Sequence, residues 1–135
     1  MAKQLSLTKT ERLKSKKIFS ELFSSGKSLF VYPIKLIYIQ LDTDCNSPAL
    51  FGCVASKRNF KKAVDRNNIK RHLREAYRQQ KPKLYHSLEH QKKSVALLYI
   101  YVSKSQHDLT ILHRSIAQLN ELLIKKLDPT ITNLK

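Results

Sequence analysis

The 135-residue sequence reads as α+β: one compact sandwich in which a small mixed sheet packs with helices, in the order helix, strands, helix, strand, helix. Three observations carry this reading. Apolar residues recur at helical spacing in three stretches, runs of strand length rich in β-branched and aromatic residues lie between them, and no repeat or long linker divides the chain. A length of this order makes residues 1–135 a single domain. Its core is expected over about residues 10–127, with a short basic N-terminal segment and a C-terminal tail.

Ile18, Phe19, Leu22 and Phe23 fall on one face of a first helix, which stops at Gly26 and has either Thr8 or Ser15 as its cap. Phe30 to Leu41 is β-branched and aromatic, and reads as one strand with Pro33 near its start. Asp42 to Pro48 is a polar turn, and Ala49 to Ser56 a second strand. Gly52 within that strand marks a bulge or a close backbone approach. A helix follows from about Ala63 to Gln80, ended by Pro82, with a polar connection over 81–93. Ser94 to Ser103 is a continuous apolar run, as a covered sheet strand requires. Asp108 caps a last helix in which Leu109, Leu112, Ile116, Leu119 and Leu123 form a stripe.

The charge narrows the partners. Twenty-six Lys and Arg stand against ten Asp and Glu, a formal net charge of +16, which a polyanion would neutralise; for a domain of this kind that polyanion is nucleic acid. The longest apolar run, Val95 to Val102, is far short of the roughly 20 residues a membrane span needs. Residues Met1 to Leu13 are polar and basic, unlike a secretory signal. The expectation is a cytoplasmic protein with free thiols. Cys53 lies in an apolar run and Cys45 in a polar turn, at no metal-type spacing.

The most informative stretch runs from Lys57 to Lys83, which holds eleven of the 26 basic residues and only two acids, Asp65 and Glu75. At 100° per residue, Ile69, Leu73, Ala76 and Tyr77 form one narrow apolar stripe. Arg66, Asn67, Lys70, Arg71, Arg74 and Arg78 occupy the opposite arc. With so few acids nearby, i,i+4 pairing cannot neutralise those five cations, and the arc reads as a phosphate-binding face rather than a merely solvated one.

Arg66-Asn-Asn-Ile-Lys-Arg-His-Leu-Arg-Glu75 closely resembles the Arg-Asn-Arg-x-Lys-Arg-x-x-Arg-Glu signature of the bacterial ribonuclease P protein component. The resemblance extends to Arg12-Leu13-Lys14 with Phe19 and Phe23, to Phe51–Arg58 as the strand before the signature helix, and to the strand and leucine-rich helix that end the chain. Two positions depart from the pattern: Asn68 stands where a second arginine is usual, and Lys61 near a common glycine. The resemblance implies a left-handed crossover between strands, against the general right-handed rule. It implies a protein that docks on a catalytic RNA and holds the 5′ leader of precursor tRNA in a cleft between the first helix and the sheet. The RNA would carry the Mg²⁺ and make the cut. The protein itself would contribute no catalytic residue, metal site or cofactor, and would need neither a membrane nor a protein partner.

On that resemblance Arg66, Asn67, Lys70, Arg71 and Arg74 meet the catalytic RNA, though Asn67 could cap a local turn instead. Phe19, Phe23 and Tyr38 would line the leader cleft, with Lys57, Arg58 and Lys104 on leader phosphates. Helical spacing alone also fits Phe19 and Phe23 as core, and a one-residue slip would turn Tyr38 to the other face of its strand. A ribosomal or other structured-RNA-binding protein is the alternative. Gly26-Lys27-Ser28 lacks the first glycine of a phosphate loop, which would fall at Glu21, and follows a helix rather than a strand. His86 and His90 lack a third ligand.

Overall fold

A computed structural model describes residues 12–13, 15–41, 49–91 and 94–127. Among these described residues, three helices and four strands follow in the order α1 (Lys16–Ser25), β1 (Lys27–Val31), β2 (Ile34–Leu41), β3 (Ala49–Ala55), α2 (Ala63–Gln91), β4 (Ser94–Tyr101) and α3 (Leu109–Leu127). The sheet order is β1-β2-β4-β3. Its first two pairings are antiparallel and the β3–β4 pairing is parallel, so the sheet is mixed and α2 forms the crossover between parallel neighbours. The expected turn at 42–48, with Cys45, and the Thr8 cap lie outside the described residues.

Ser15 caps α1: its Oγ accepts the Ile18 N–H at 3.3 Å, satisfying one of the donors that a helix start leaves open. The helix ends at Gly26, whose N–H donates to the Leu22 carbonyl at 3.0 Å. Gly26 is extended, with φ −69°, so conformational freedom is not its reason. A Cβ there would run into the Leu22 carbonyl and lie 2.6 Å from Ile37 Cγ2. Glycine lets α1 sit directly on the sheet.

The single strand expected over Phe30–Leu41 is a hairpin. The chain reverses at the cis Tyr32–Pro33 peptide, and β1 begins at the polar residues Lys27 and Ser28, which carry no strand pattern because they face water. Gly52 marks a close approach and no bulge. Its pairing with Leu98 is in regular register, and a Cβ there would meet Leu13 Cδ2 at 3.1 Å and Leu98 Cδ1 at 3.2 Å.

The signature helix does not end before Pro82 but runs 29 residues, with Pro82 inside it. Leu84 and Leu88 extend the buried stripe of Ile69, Leu73, Ala76 and Tyr77. An interior proline costs about 3 kcal/mol. Burying two leucines recovers roughly 1.5–3 kcal/mol each, which offsets it. Pro82 is itself exposed, so its ring and the helical bond it forgoes lie on the outer side.

Helices α2 and α3 cover one face of the sheet. There Leu36, Phe51, Leu97, Tyr99 and Tyr101 meet Leu73, Tyr77, Leu84, Ile116, Leu119 and Leu123. The Asp108 carbonyl opens α3 by accepting the Ile111 and Leu112 N–H groups. Tyr99 donates from within the core to Asn120 Oδ1 at 2.6 Å. On the opposite face Leu13, Leu22, Ile37, Ala96 and Leu98 make a second, smaller cluster under α1. Strand β4 contributes to both clusters, which is why its sequence is a continuous apolar run. Among the described residues α1 is the one helix on this face, too short to cover four strands, and Ile39, Leu50, Val54 and Ile100 beside it are only half-buried.

Candidate nucleic-acid interface

Two basic surfaces are built from different elements. The first is the N-terminal half of α2. Arg66 is half-buried, and its Nη1 donates to the Phe60 and Lys61 carbonyls at 2.8 and 2.9 Å. That pins the turn after β3 to the start of the helix and gives Arg66 a structural duty beside any RNA contact. Lys70 is half-buried, while Asn67, Arg71 and Arg74 are exposed. Asn68, the departure from the family pattern, accepts from Arg71 Nη2 at 3.0 Å and donates to Gln106 at 3.4 Å. It therefore orients the next arginine along. Val64, Asn67, Asn68, Arg71 and Arg74 line a shallow hollow of about 420 Å³.

The arc carries four available cations rather than the five expected. Glu75 accepts both Nε and Nη2 of Arg78, and this forked pair, with Gln79, holds the Glu75 carboxyl at about 2. The i,i+3 spacing placed the acid within reach of the one arginine it quenches. Among the described residues Arg66, Lys70, Arg71 and Arg74 make no ion pair. Beneath them Cys53 is a spectator. Burial pushes its thiol up to about 11 against the opposing pull of Arg74 and Lys70, so it stays protonated and unreactive.

The second surface lies beside α1, which crosses the sheet from Gly52 on β3, where Leu13 packs, to Ile37 on β2, where Gly26 rests. At 100° per residue, Leu22 and Gly26 point down at the sheet. Glu21 and Ser25 flank one side, where they share a hollow with Tyr38, Ile39 and Gln40. Phe19 and Phe23 therefore flank the other side, above the row Val54–Ile100–Lys35. Phe19 is half-buried and Phe23 is 65% exposed, so neither is a plain core residue. That row lies at the end of the sheet where both parallel strands finish. Lys57 and Arg58, just past β3, and Lys104, just past β4, are exposed there. The Arg58 N–H donates to Ser56 Oγ at 3.0 Å, which fixes the turn that presents the first two.

Tyr38 does not belong to this groove. It is only 5% exposed and sits in the cluster under α2 and α3. Side chains alternate along β2, so Ile37 and Ile39 take the α1 face and Tyr38 the other. The groove floor, Lys35, Val54 and Ile100, escaped sequence reasoning. Strand alternation contained the signal, but reading it needs the register, and the register starts from a hairpin that the sequence did not reveal.

Surface and fold together define a small α+β RNA-binding protein whose cations sit on ordered elements. The model of the Ribonuclease P family matches residues 7–123. The ribonuclease P protein component of Chlorobium phaeobacteroides is 36% identical over 124 residues, covering 84% of this chain and 85% of its own. That of Porphyromonas gingivalis is 32% identical over 112 residues, covering 82% and 80%. The RNase P protein from Thermotoga maritima has the same fold, with a TM-score of 0.65 at 22% identity over 87% of this chain and 98% of its own. The Staphylococcus aureus RNase P protein gives 0.60 at 18% over 84% and 94%. The chain belongs to the ribonuclease P protein component family.

Proposed function

We propose that the chain is the protein subunit of a ribonuclease P ribonucleoprotein that handles two RNAs on its two basic surfaces. The Arg66–Arg74 face docks on the catalytic RNA. A stiff cationic helix suits folded RNA, which is read largely through shape, phosphates and 2′-hydroxyls. Arg71 and Arg74 release counterions on binding, and Arg66 and Lys70 add charge behind them. The groove beside α1 holds the single-stranded 5′ leader of precursor tRNA. Phe19 and Phe23 offer faces on which bases stack, and Lys57, Arg58 and Lys104 meet the phosphates.

In this reading the Mg²⁺ ions and the bond cleavage belong to the RNA, while the protein binds, orients and neutralises charge. The chemistry needs no protein carboxylate or resident cofactor. Among the described residues no helix is long and apolar enough to cross a membrane, and an RNA-bound role fits the cytoplasm. Family membership favours this reading over a ribosomal protein.

The observation that carries the proposal is Phe23, largely exposed beside an apolar sheet face, with Lys57, Arg58 and Lys104 exposed just past the strand ends that border the same face. The test adds purified protein to a bacterial ribonuclease P RNA at low Mg²⁺ with a precursor tRNA. Restored cleavage at the 5′ end of the mature tRNA is expected. Co-sedimentation with ribosomes and no rescue of cleavage would contradict it.

A further inference from the structure

The five phenylalanines are of two kinds. Phe51 and Phe60 are buried and engaged with other rings, Phe51 stacked on Tyr77 at 4.3 Å between centroids and Phe60 tilted against Tyr101 at 5.9 Å. Phe19, Phe23 and Phe30 make no ring contact among the described residues. Two of the three are assigned to the leader groove above. The third, Phe30 on β1, is 59% exposed and has no role in the packing that would explain a large aromatic there.

Its register shows where it stands. Phe30 pairs with Lys35, Lys35 with Ile100, and Ile100 with Val54. The four form one row across the sheet, on the face that carries α1, and Phe19 and Phe23 overhang this same row. Phe30 closes the row at the β1 edge, next to the end of α1 that bears Phe23. Strands lie about 4.8 Å apart, so Phe30 is one strand beyond Lys35, within reach of a chain leaving Phe23. Residues 27–41 contain no acid. Lys35, the cation of that row, makes no ion pair among the described residues. An aromatic beside an unpaired lysine suits a polyanion with stackable bases, whereas Lys27, on the other face of β1, gives that edge a lysine that discourages a protein strand from pairing with it.

We propose that Phe30 is a third stacking platform for single-stranded RNA, carrying the groove from α1 out to the β1 edge, so that longer leaders gain a contact that shorter ones lack. This rests on the leader-binding reading above and deepens it. The experiment uses protein assembled with ribonuclease P RNA and precursor tRNAs with leaders graded from none to long enough to pass Phe30. Phe30→Ala is expected to weaken binding about tenfold for long leaders, within the roughly 5- to 150-fold that one stacked base is worth. It should leave binding unchanged for leaders that end at Phe23. Phe30→Leu, which keeps an apolar side chain but no ring face, should show the same loss, and Phe30→Trp should restore binding. Phe23→Ala should weaken binding of short and long leaders alike. A normal Phe30→Ala with a defective Phe23→Ala would refute the extension and leave the groove standing, whereas leader-independent behaviour of both would refute the groove itself. A change in oligomeric state on sedimentation of Phe30→Ala would make Phe30 a self-association contact and overturn the proposal.

Discussion

Removing Arg71 and Arg74 together probes the docking face most quantitatively. Both side chains are exposed, and neither has a carboxylate partner among the described residues. Each phosphate contact contributes about 0.9 to the slope of log affinity against log salt on duplex nucleic acid. Arg71→Ala with Arg74→Ala should therefore flatten that slope by about 1.8. With the non-electrostatic part unchanged, the variant and parent lines meet near 1 M salt. At about 0.1 M the double variant then binds the RNA subunit roughly 60-fold more weakly, or about 2.4 kcal/mol. The assay is an equilibrium titration of labelled RNA across that salt range, with Lys83→Ala as control. Lys83 lies on the far half of the same helix and pairs with Glu121 at 3.5 Å, so its slope should match the parent's. An unchanged slope in the double variant would refute the reasoning. So would a loss equal at every salt concentration, which would mean damaged folding rather than lost phosphate contacts.

Further outcomes follow from the same geometry. Glu75→Gln frees Arg78 from its forked pair and should steepen the salt slope by up to about 0.9; an unaltered slope would place Arg78 outside the RNA contact. Because the Glu75 carboxyl is held at about 2, below its unfolded value, the pair is fully present above that unfolded value and lost only as pH falls toward 2. RNA binding should accordingly show no titration from Glu75 between pH ~5 and 8, which a pH series of titrations would check. Phe23→Ala should weaken precursor binding by roughly 1–3 kcal/mol with little effect on leaderless tRNA, and equal losses on both would return Phe23 to the core. Pro82→Ala restores a helical hydrogen bond in a 29-residue helix and should stabilise the protein by up to about 3 kcal/mol. A denaturation midpoint that does not rise would contradict a helix continuous through that position.

Periodic local signals were legible, and long-range pairing was not. Ser15, one of the two caps the sequence offered, the apolar run of β4 and the leucine stripe of α3 are each written within about fifteen residues, and each is found in place. The hairpin at Tyr32–Pro33 was hidden because Lys27 and Ser28 look like a connection, and only their pairing with Tyr38 and Ile37 makes them strand. Pro82 was overrated as a stop signal, since its local cost is outweighed by Leu84 and Leu88 packing on partners far away in sequence. At the site, the cations of the signature helix could be counted from spacing, but the diversion of Arg78 to Glu75 and of Arg66 to two carbonyls needed side-chain geometry. The Tyr38 assignment failed for the reason strands always pose, that one residue of slip exchanges the two faces.

The claim that one small protein presents separate surfaces to two RNAs is tested most directly by position-specific crosslinking. A photoreactive benzophenone side chain would be placed at Phe23 in one preparation and at Arg71 in another, each assembled with ribonuclease P RNA and a precursor tRNA. Position 23 should label the 5′ leader and position 71 the RNA subunit. Labelling of the same RNA from both positions would contradict the division.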